Sequence, residues 1–335
     1  MAKRVTIHDV AAEAGVSRQT VTRAMNDRDD IKEATRLRVL EAVERLGYRP
    51  SRFARNLVTR RKQHALGLVV ASFDNPYYTG IAAEMLTAAA ERGWQLMMAA
   101  AQDDTEAVLG MLASQADVVA LHFGGSGAEL SEFAGGLPVV RLEAESLLPG
   151  VHSVALDIES GIVAVVAELR ARGARRFGMV DSAHSLQAHG ARGAGGGYGP
   201  SPKRRYFERA VGEPLAGVTI GDESIAAGSR AFGELLEQHP DVDTVLMFND
   251  LMALGAVRYA QSRGIDVPGR VRIVGIDGLA LGEAVHPRLT SIALDVRAMA
   301  SHTMDIAELV AKADFARLDP IHRRVGSSIL WRESA

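Results

Sequence analysis

The chain has 335 residues and no cysteine, so it is long enough for two or three domains and contains no disulfide, thiolate metal site or cysteine nucleophile. No stretch is long and apolar enough to span a bilayer, and the N-terminus lacks the apolar core of a signal peptide, so we expect a cytoplasmic protein. The net charge of −3 conceals an asymmetry, because residues 1–62 carry 15 basic and 8 acidic side chains while the remainder carries 23 and 33. This division predicts a basic nucleic-acid-binding module joined to an acidic body.

The first elements along the chain are two short helices joined by a turn. Thr6 stands where an N-cap belongs, and Asp9 can complete a capping box for a helix that runs to about residue 14. Gly15-Val16 then breaks the pattern, and Ser17 caps a second helix that ends near Met25. Two helices with a glycine-containing turn are typical of the helix-turn-helix, whose second helix enters the major groove of DNA.

The second helix has an apolar and a polar face. Val16, Val21 and Met25 are predicted to pack back towards the first helix. The outward side chains suit DNA, because arginine pairs with guanine, glutamine with adenine, and threonine with phosphate oxygens. These outward residues are Arg18, Gln19, Thr22 and Arg23. A solvated helix face is the alternative interpretation of the same pattern.

A third helix is predicted from about residue 33 to residue 46. It carries Val39, Val43 and Leu46 on one face, and Gly47 supplies a left-handed stop. The segment 51–58 follows Pro50 and is too short to be a stable helix in isolation. Residues 1–50 therefore read as an all-α helix-turn-helix domain, and residues 51–64 as a hinge helix and linker.

These motifs together resemble the lactose-repressor (LacI) family. In order they are Val5-Thr6-Ile7-His8-Asp9-Val10-Ala11, Ala14-Gly15-Val16-Ser17, Thr20-Val21-Thr22-Arg23, Asn26, Thr35-Arg36, Val39 and Leu46-Gly47-Tyr48-Arg49-Pro50. The family consists of ligand-controlled transcription regulators that are dimeric or tetrameric, and the resemblance implies the same here. By matching position, Arg18, Gln19 and Arg23 are expected to read base edges. The residues expected nearer the DNA backbone are Thr6, Ser17, Thr20 and Asn26.

The resemblance also extends to the hinge. In the family, the stretch that matches residues 51–58 is a hinge helix that orders on DNA and wedges a leucine into the minor groove. Leu57 occupies that position and Arg52 lies in the same segment, so both are predicted DNA contacts. A plain linker is the alternative. Lys32 departs from the family, which usually has a small capping residue there, and we expect the third helix to begin raggedly near Glu33.

After the linker, apolar runs of strand length alternate with helical patterns, which predicts βαβ units and parallel sheets. Two such series suggest two doubly wound subdomains with a cleft between them. The body also resembles the periplasmic-binding-protein-like core of the same family, through motifs such as Asn75-Pro76-Tyr77-Tyr78 and Phe248-Asn249-Asp250-Leu251. The family chain crosses between subdomains three times. We therefore expect the first subdomain at about 65–155 plus 292–318, and the second at about 156–290 plus 319–331.

Polar residues that follow apolar strands are expected to face the cleft and bind a small polar ligand. Asn249 and Asp277 match positions where the family contacts its effector, and Glu143 aligns with an acid often used similarly. Tyr77 and Tyr78, with the nearby Asn75, align with the pocket lining. For Asp157 we prefer a capping role at a strand end, and we expect Asp250 to be a helix N-cap rather than a ligand contact.

Two cleft positions depart from the family pattern. The family's effector-binding arginine stands before a glycine-aromatic pair that this chain lacks, and either Lys203 or Arg204 is expected to substitute for it. Lysine and arginine are not interchangeable in bidentate contacts. Glu223 stands where relatives often have an aromatic platform. The effector could therefore be a polyol, a modified sugar or a cationic compound. The glycine-rich run at 190–200 reads as a mobile loop at the cleft mouth or as a passive loop, and His184 and His189 do not suggest a metal site.

The sequence thus predicts a homodimeric transcription regulator, most simply a repressor, that binds a pseudo-palindromic operator and is controlled by a small, sugar-like effector. No cofactor, metal or membrane partner is predicted. Two alternatives remain: a cytoplasmic small-molecule-binding protein of the same core fold, and a regulator that needs its ligand as a corepressor. An enzyme is disfavoured, because no nucleophile elbow, metal-ligand cluster or phosphate loop is present.

Overall fold

A computed structural model describes residues 7–25, 31–46, 64–101, 108, 111–112, 115–122, 137–146, 148, 150–183, 199–312 and 319–335. The chain divides into two compact units, Met1–His64 and Ala65–Ala335. Among the helices in the described part of the chain, none is both long enough and apolar enough to cross a bilayer.

In its described residues, the N-terminal unit contains three helices around a small apolar core. They are α1 (Ile7–Ala14), α2 (Arg18–Met25) and α3 (Glu33–Leu46). Gly15 adopts a φ of +64° in the turn between α1 and α2, a conformation that glycine reaches at little cost. The core is formed by Val10, Ala11, Ala14, Val21, Ala24, Val39 and Ala42, with Val16, Val43 and Leu46 partly buried around it. The predicted helix-turn-helix and its third helix are therefore present.

The ends of these helices are stabilised in two different ways. Ser17 caps α2, since its Oγ accepts a hydrogen bond of 3.1 Å from the Thr20 amide. At α3 the backbone carbonyl of Lys32 accepts bonds from the amides of Thr35 and Arg36, at 2.8 and 3.1 Å. The helix consequently begins at Glu33, as expected, without a capping side chain at Lys32. Thr6 and Gly47, the other two predicted ends, lie outside the described residues.

The second unit contains two six-stranded sheets flanked by helices. The first sheet has the order β11-β5-β4-β3-β1-β2 and the second has the order β12-β10-β9-β8-β6-β7. The strands of the first sheet are β1 (Ala65–Val70), β2 (Gln95–Ala100), β3 (Val118–His122), β4 (Val139–Glu143), β5 (Val151–Leu156) and β11 (His322–Val325). Those of the second are β6 (Phe177–Ser182), β7 (Gly217–Gly221), β8 (Thr244–Met247), β9 (Arg272–Asp277), β10 (Thr290–Leu294) and β12 (Ser327–Leu330).

In the described part of the second unit, six long helices connect the strands. They are α4 (Pro76–Glu91), α5 (Ile158–Ala171), α6 (Pro202–Val211), α7 (Ile225–Gln238), α8 (Asp250–Arg263) and α9 (Val296–Lys312). The strand order places β1 and β6 between strands of higher number, which makes each sheet doubly wound. Central strands such as β1, β3 and β6 are buried along their whole length, as expected for parallel strands covered on both faces.

The chain crosses between the two sheets three times, and each crossing is one residue long. Asp157 joins β5 to α5, Asp295 joins β10 to α9, and Gly326 joins β11 to β12. The third crossing lies later than the expected position near residue 319, because β11 still pairs with β5 of the first sheet. The strand was missed because its exposed His322, Arg323 and Arg324 lack the apolar pattern of a buried strand.

Helix caps explain why several helices begin where they do. The Oδ1 atom of Asn75 accepts a bond of 3.0 Å from the Tyr77 amide, and Pro76 occupies the first turn, so α4 begins before the predicted residue 79. Asp157 caps α5 through a bond of 3.1 Å from the Ser160 amide, which confirms its predicted capping role.

Candidate DNA-binding helix and effector cleft

The outward face of α2 presents the side chains predicted to contact DNA. Ser17, Arg18, Gln19 and Arg23 are exposed, and the opposite side of the helix buries Val21 completely. Thr20 is half-buried, and its hydroxyl lies 2.9 Å from that of Ser17. The remaining predicted contacts lie outside what the structure describes, namely Thr6, the side chain of Thr22, Asn26, Arg52 and Leu57.

In the second unit, the predicted effector residues lie at the carboxyl ends of strands from both sheets. Glu143 ends β4, and His122 ends the neighbouring β3. The Tyr77 hydroxyl donates a hydrogen bond to Oε1 of Glu143, and Nε2 of His122 lies 2.8 Å from Oε2. Both oxygens of this carboxylate are therefore engaged. We call Tyr77, His122 and Glu143 the first wall of the cleft.

The electrostatics of the first wall favour an ion pair. Burial alone would raise the pKa of Glu143, but His122, Lys203 and the Tyr77 hydroxyl outweigh it and hold the pKa at about 2. Burial alone would lower the pKa of His122, but Glu143 raises it above its ordinary value of 6.5. Its Nδ1 atom has no hydrogen-bond partner among the described residues. His122 thus approaches Glu143 through Nε2, and its Nδ1 faces no partner among the described residues.

The ring of Tyr78 packs beside this wall, with its centroid 4.9 Å from the His122 ring and 5.6 Å from that of Tyr77. Burial and then the charge of Glu223 raise the pKa of the Tyr78 hydroxyl. Tyr78 therefore packs against the first wall.

The second wall consists of Lys203, Glu223, Asn249 and Asp277. Asp277 ends β9 and is buried, and its Oδ1 atom lies 3.9 Å from Nζ of Lys203. Nζ donates a bond of 3.1 Å to the Phe248 carbonyl and lies 4.2 Å from the centre of the Phe248 ring. Burial raises the pKa of Asp277 well above its ordinary value, against the opposing effect of Lys203. Oδ2 of Asp277 has no partner among the described residues.

Asn249 caps α8, because its Oδ1 atom accepts a bond of 2.9 Å from the Met252 amide. Its buried Nδ2 atom has no partner in the described part of the chain. The prediction that Asp250 is the N-cap was therefore wrong. Its carboxylate instead accepts bonds of 2.6 Å from the Leu279 amide and the Ser291 hydroxyl, which links α8 to β10 and to the loop after β9.

The two departures from the family pattern have different surroundings. Oε1 of Glu223 accepts a bond of 2.6 Å from the Ser182 hydroxyl at the end of β6. Of the two neighbouring bases, Lys203 lies beside Asp277. Arg204 pairs with Glu208 one turn along α6, at 2.7 Å.

Backbone strain marks the same two carboxylates. Among the described non-glycine residues, only Glu143 and Asp277 have positive φ angles, of 65° and 129°. Side chains other than glycine rarely adopt such angles, and residues held in them cluster at binding sites. The fold thus aims both carboxylates from strand ends at an energetic cost.

Sequence reasoning missed three residues of this cluster, namely His122, Ser182 and Phe248. His122 gave one signal, because it is a lone polar residue that closes the apolar run of β3. The pairing register provides the rest: Leu121 lies opposite Arg141, so His122 and Glu143 emerge at the same sheet edge.

A separate surface groove of about 780 Å³ runs along α6. Its lining includes Arg204, Arg205 and Arg209, whose guanidinium groups contact Glu208, the Pro200 carbonyl and Glu159. None of the unpartnered buried polar atoms of the described chain lies there, whereas the cleft holds several. The cleft is therefore the better candidate for ligand binding. Among the described residues no group of three His, Asp or Glu could hold a metal ion.

Comparison with known proteins identifies both units. The profile described as bacterial regulatory proteins, lacI family, matches residues 6–51, and the periplasmic binding protein-like domain matches residues 166–334. Catabolite control protein A of Priestia megaterium is 30% identical over 294 residues, covering 86% of this chain and 87% of its own. This chain belongs to the lacI family of bacterial regulatory proteins. It is a DNA-binding transcription regulator, and the predicted family and fold class are confirmed.

Two further similarities cover both this chain and the related protein almost completely. The HTH-type transcriptional regulator CelR of Thermobifida fusca is 30% identical over 349 residues, covering 99% of this chain and 98% of its own. The solved structure of a CelR–cellobiose complex has a TM-score of 0.69 at 27% identity, covering 99% of this chain and all of that one. These relatives are regulators rather than enzymes.

Proposed function

We propose that this regulator binds a pseudo-palindromic operator as a homodimer in the cytoplasm and represses transcription there. Arg18, Gln19 and Arg23 on the exposed face of α2 read base edges in the major groove, and Ser17 and Thr20 approach the phosphates. A dimer places two such helices in successive major grooves, about one helical turn apart. In this proposal the hinge segment at 51–58 contacts the minor groove between them through Leu57 and Arg52.

The ligand-binding part of the proposal rests on one observation. Three buried polar atoms at the strand ends, His122 Nδ1, Asn249 Nδ2 and Asp277 Oδ2, have no partner among the described residues. Leaving such atoms unpaired costs about 1–3 kcal/mol each, so a ligand that pairs them gains affinity. A hydroxylated compound supplies both donors and acceptors. The CelR structure named as a cellobiose complex supports a sugar-like effector for this site.

The proposed control mechanism uses the position of these atoms on both sheets. His122 comes from the first sheet, whereas Asn249 and Asp277 come from the second. A ligand that bonds to both walls favours one relative orientation of the subdomains, and that orientation sets the affinity for the operator. Such coupling is typically about 1–3 kcal/mol and is reciprocal. Operator binding therefore changes the affinity for the effector by the same factor by which the effector changes the affinity for the operator.

The DNA contacts are tested by operator selection followed by binding measurements on Arg18→Ala. We expect a loss of about 1–3 kcal/mol in discrimination between the operator and point-mutated sites, because one base-edge contact is removed. Arg38→Ala is the matched control, since Arg38 is exposed on α3 and the substitution removes the same charge. If the two variants lose discrimination equally, the assignment of α2 to the major groove is wrong.

The effector is tested by a thermal-shift screen of hexoses, cellobiose, lactose and polyols, because a ligand of the native state raises the Tm by mass action. A compound that binds should lose affinity in Asn249→Ala and should change operator affinity when added to the complex. Release of the operator supports an inducer, and tighter operator binding shows a corepressor. A panel without any binder, or a binder that leaves operator affinity unchanged, contradicts effector control.

A further inference from the structure

The charges of the cleft do not balance in pairs. Glu143 is paired with His122 at 2.8 Å, and Asp277 is approached by Lys203 at 3.9 Å. The neighbouring Asp250 is satisfied by an amide and a hydroxyl. Glu223 shares with Asp250 the lack of a lysine, arginine or histidine nitrogen of the described chain within 4 Å, but only its Oε1 accepts a hydrogen bond from a described residue. Glu223 is therefore a cleft carboxylate with neither a cation nor a full set of hydrogen-bond donors among the described residues.

The side chain of Glu223 is fixed in position at the end of the second sheet. It lies directly after β7, is half-buried, and is fixed by the bond from the Ser182 hydroxyl at 2.6 Å. Ser182 ends β6 and Glu223 follows β7, so the carboxylate lies at the same edge of the second sheet as Asp277. Charge-assisted hydrogen bonds make such a carboxylate a binding group for an organic ammonium.

The basic groups of the cleft are already engaged. Lys203 donates to the Phe248 carbonyl, lies over the Phe248 ring and faces Asp277. Nε2 of His122 already contacts Glu143. An anionic ligand would have to compete for these groups and would face Glu223, whereas a cation finds Glu223 without a competitor. The unpartnered atoms of Asp277, Asn249 and His122 then remain for hydroxyl groups.

We propose that the effector is a hydroxylated molecule with one protonated amino group, of the amino-sugar class, and that its ammonium pairs with Glu223. This inference rests on the proposed function, because it names the ligand class of the same cleft. The hydroxyl groups pair with Asp277, Asn249 and His122. Glu223 thereby selects the amine over the corresponding neutral sugar and sugar acid.

The test measures binding by calorimetry for matched sets that differ in one group. Glucose, glucosamine and glucuronate form one set, galactose, galactosamine and galacturonate a second, and mannose, mannosamine and mannuronate a third. At a pH of about 6 the amines are protonated and the acids ionised. We expect the amine of one set to bind about tenfold tighter than its neutral partner, the factor given by one charge-assisted contact.

Two variants assign that preference to a residue. Glu223→Gln should remove the tenfold preference, and Asp222→Asn, which removes an equal charge from the exposed neighbouring residue, should retain it. A neutral or acidic member that binds as well as or better than the amine, and loses affinity in Asn249→Ala, overturns the amine assignment and leaves the proposed function intact. An amine preference that survives Glu223→Gln also overturns it. If no member of any set binds, the amine assignment fails for hexosamines together with sugar-effector binding itself.

Discussion

The two walls of the cleft are topological counterparts with opposite degrees of satisfaction. The strand orders of the two sheets correspond position by position, so β4 matches β9, and Glu143 matches Asp277. Both residues have positive φ angles at their strand ends. Yet Glu143 has both oxygens engaged, whereas Asp277 has one oxygen without a partner among the described residues. The carboxylate of the first wall is thus satisfied without a ligand, whereas the carboxylate of the second wall is not.

The largest expected effect comes from making the same chemical change on both walls. Glu143→Gln removes the charge that holds His122, and we expect a loss of about 2–3 kcal/mol in the free energy of unfolding of the second unit. Asp277→Asn removes a buried charge that has incomplete pairing, and we expect a change within about 1 kcal/mol. Urea unfolding followed by tryptophan fluorescence reports on this unit alone, because Trp94 and Trp331 both lie in it. Equal losses in the two variants would contradict the difference between the walls.

The contributions of Glu143 and Asp277 to the free energy of unfolding should depend on pH with opposite signs. The pKa of Glu143 is lowered to about 2 from 4.5, so its contribution is present above pH 4.5 and is lost as the pH falls towards 2. The pKa of His122 is raised from 6.5, so its contribution is present below that pH and is lost as the pH rises through the raised value. The advantage of the wild type over Glu143→Gln should therefore be greatest between about pH 4.5 and 6.5.

Asp277 should give the opposite slope. Its pKa is raised by burial, so the folded state binds the proton more tightly and the cost of ionising this group grows as the pH rises above 3.8. Asp277→Asn should accordingly gain in stability relative to the wild type as the pH increases from about 4. Unfolding curves at several pH values check both slopes. A parallel pH dependence in Glu143→Gln and Asp277→Asn would show that the walls titrate alike.

A smaller effect on folding, but a specific effect on binding, is expected at Lys203. Lys203→Met keeps the aliphatic stem and removes the ammonium that faces Asp277. We expect about tenfold weaker effector binding, because Asp277 loses the lysine that positions its carboxylate. Calorimetry with whichever compound the effector screen identifies provides the measurement. Unchanged affinity would remove Lys203 from the site.

The smallest effect is expected at the neighbouring Arg204. Its guanidinium pairs with Glu208 four residues along the same helix, where both side chains are partly exposed, and such helix pairs contribute about 0.3–0.5 kcal/mol. Arg204→Met should therefore change neither the free energy of unfolding by more than about 0.5 kcal/mol nor the effector affinity. An effector affinity reduced as much as in Lys203→Met would show that both bases reach the ligand.

The sequence predicted the parts of the fold that depend on local pattern. The apolar runs of β1 and β3 and the glycine turn of α2 are visible in the residues themselves. It did not predict β11, since an exposed edge strand with His322, Arg323 and Arg324 has no apolar signature. Nor could it assign the cap of α8, because Asn249 and Asp250 are equally good capping residues and the backbone angles decide between them. The pair of His122 and Glu143 depends on strand register, which lies beyond local pattern.

The three single-residue crossings have a mechanical consequence. Asp157, Asp295 and Gly326 are each one residue long, and a residue spans less than about 4 Å, so the subdomains have no slack with which to move apart. The first and third crossings are also tied, because the Ser327 hydroxyl donates to the Asp157 carbonyl at 2.7 Å and the Asp157 amide donates to the Val325 carbonyl at 2.8 Å. These short, hydrogen-bonded crossings resist separation and sliding of the subdomains but permit bending between them. Movement of the subdomains relative to each other is thereby limited to bending at these three residues.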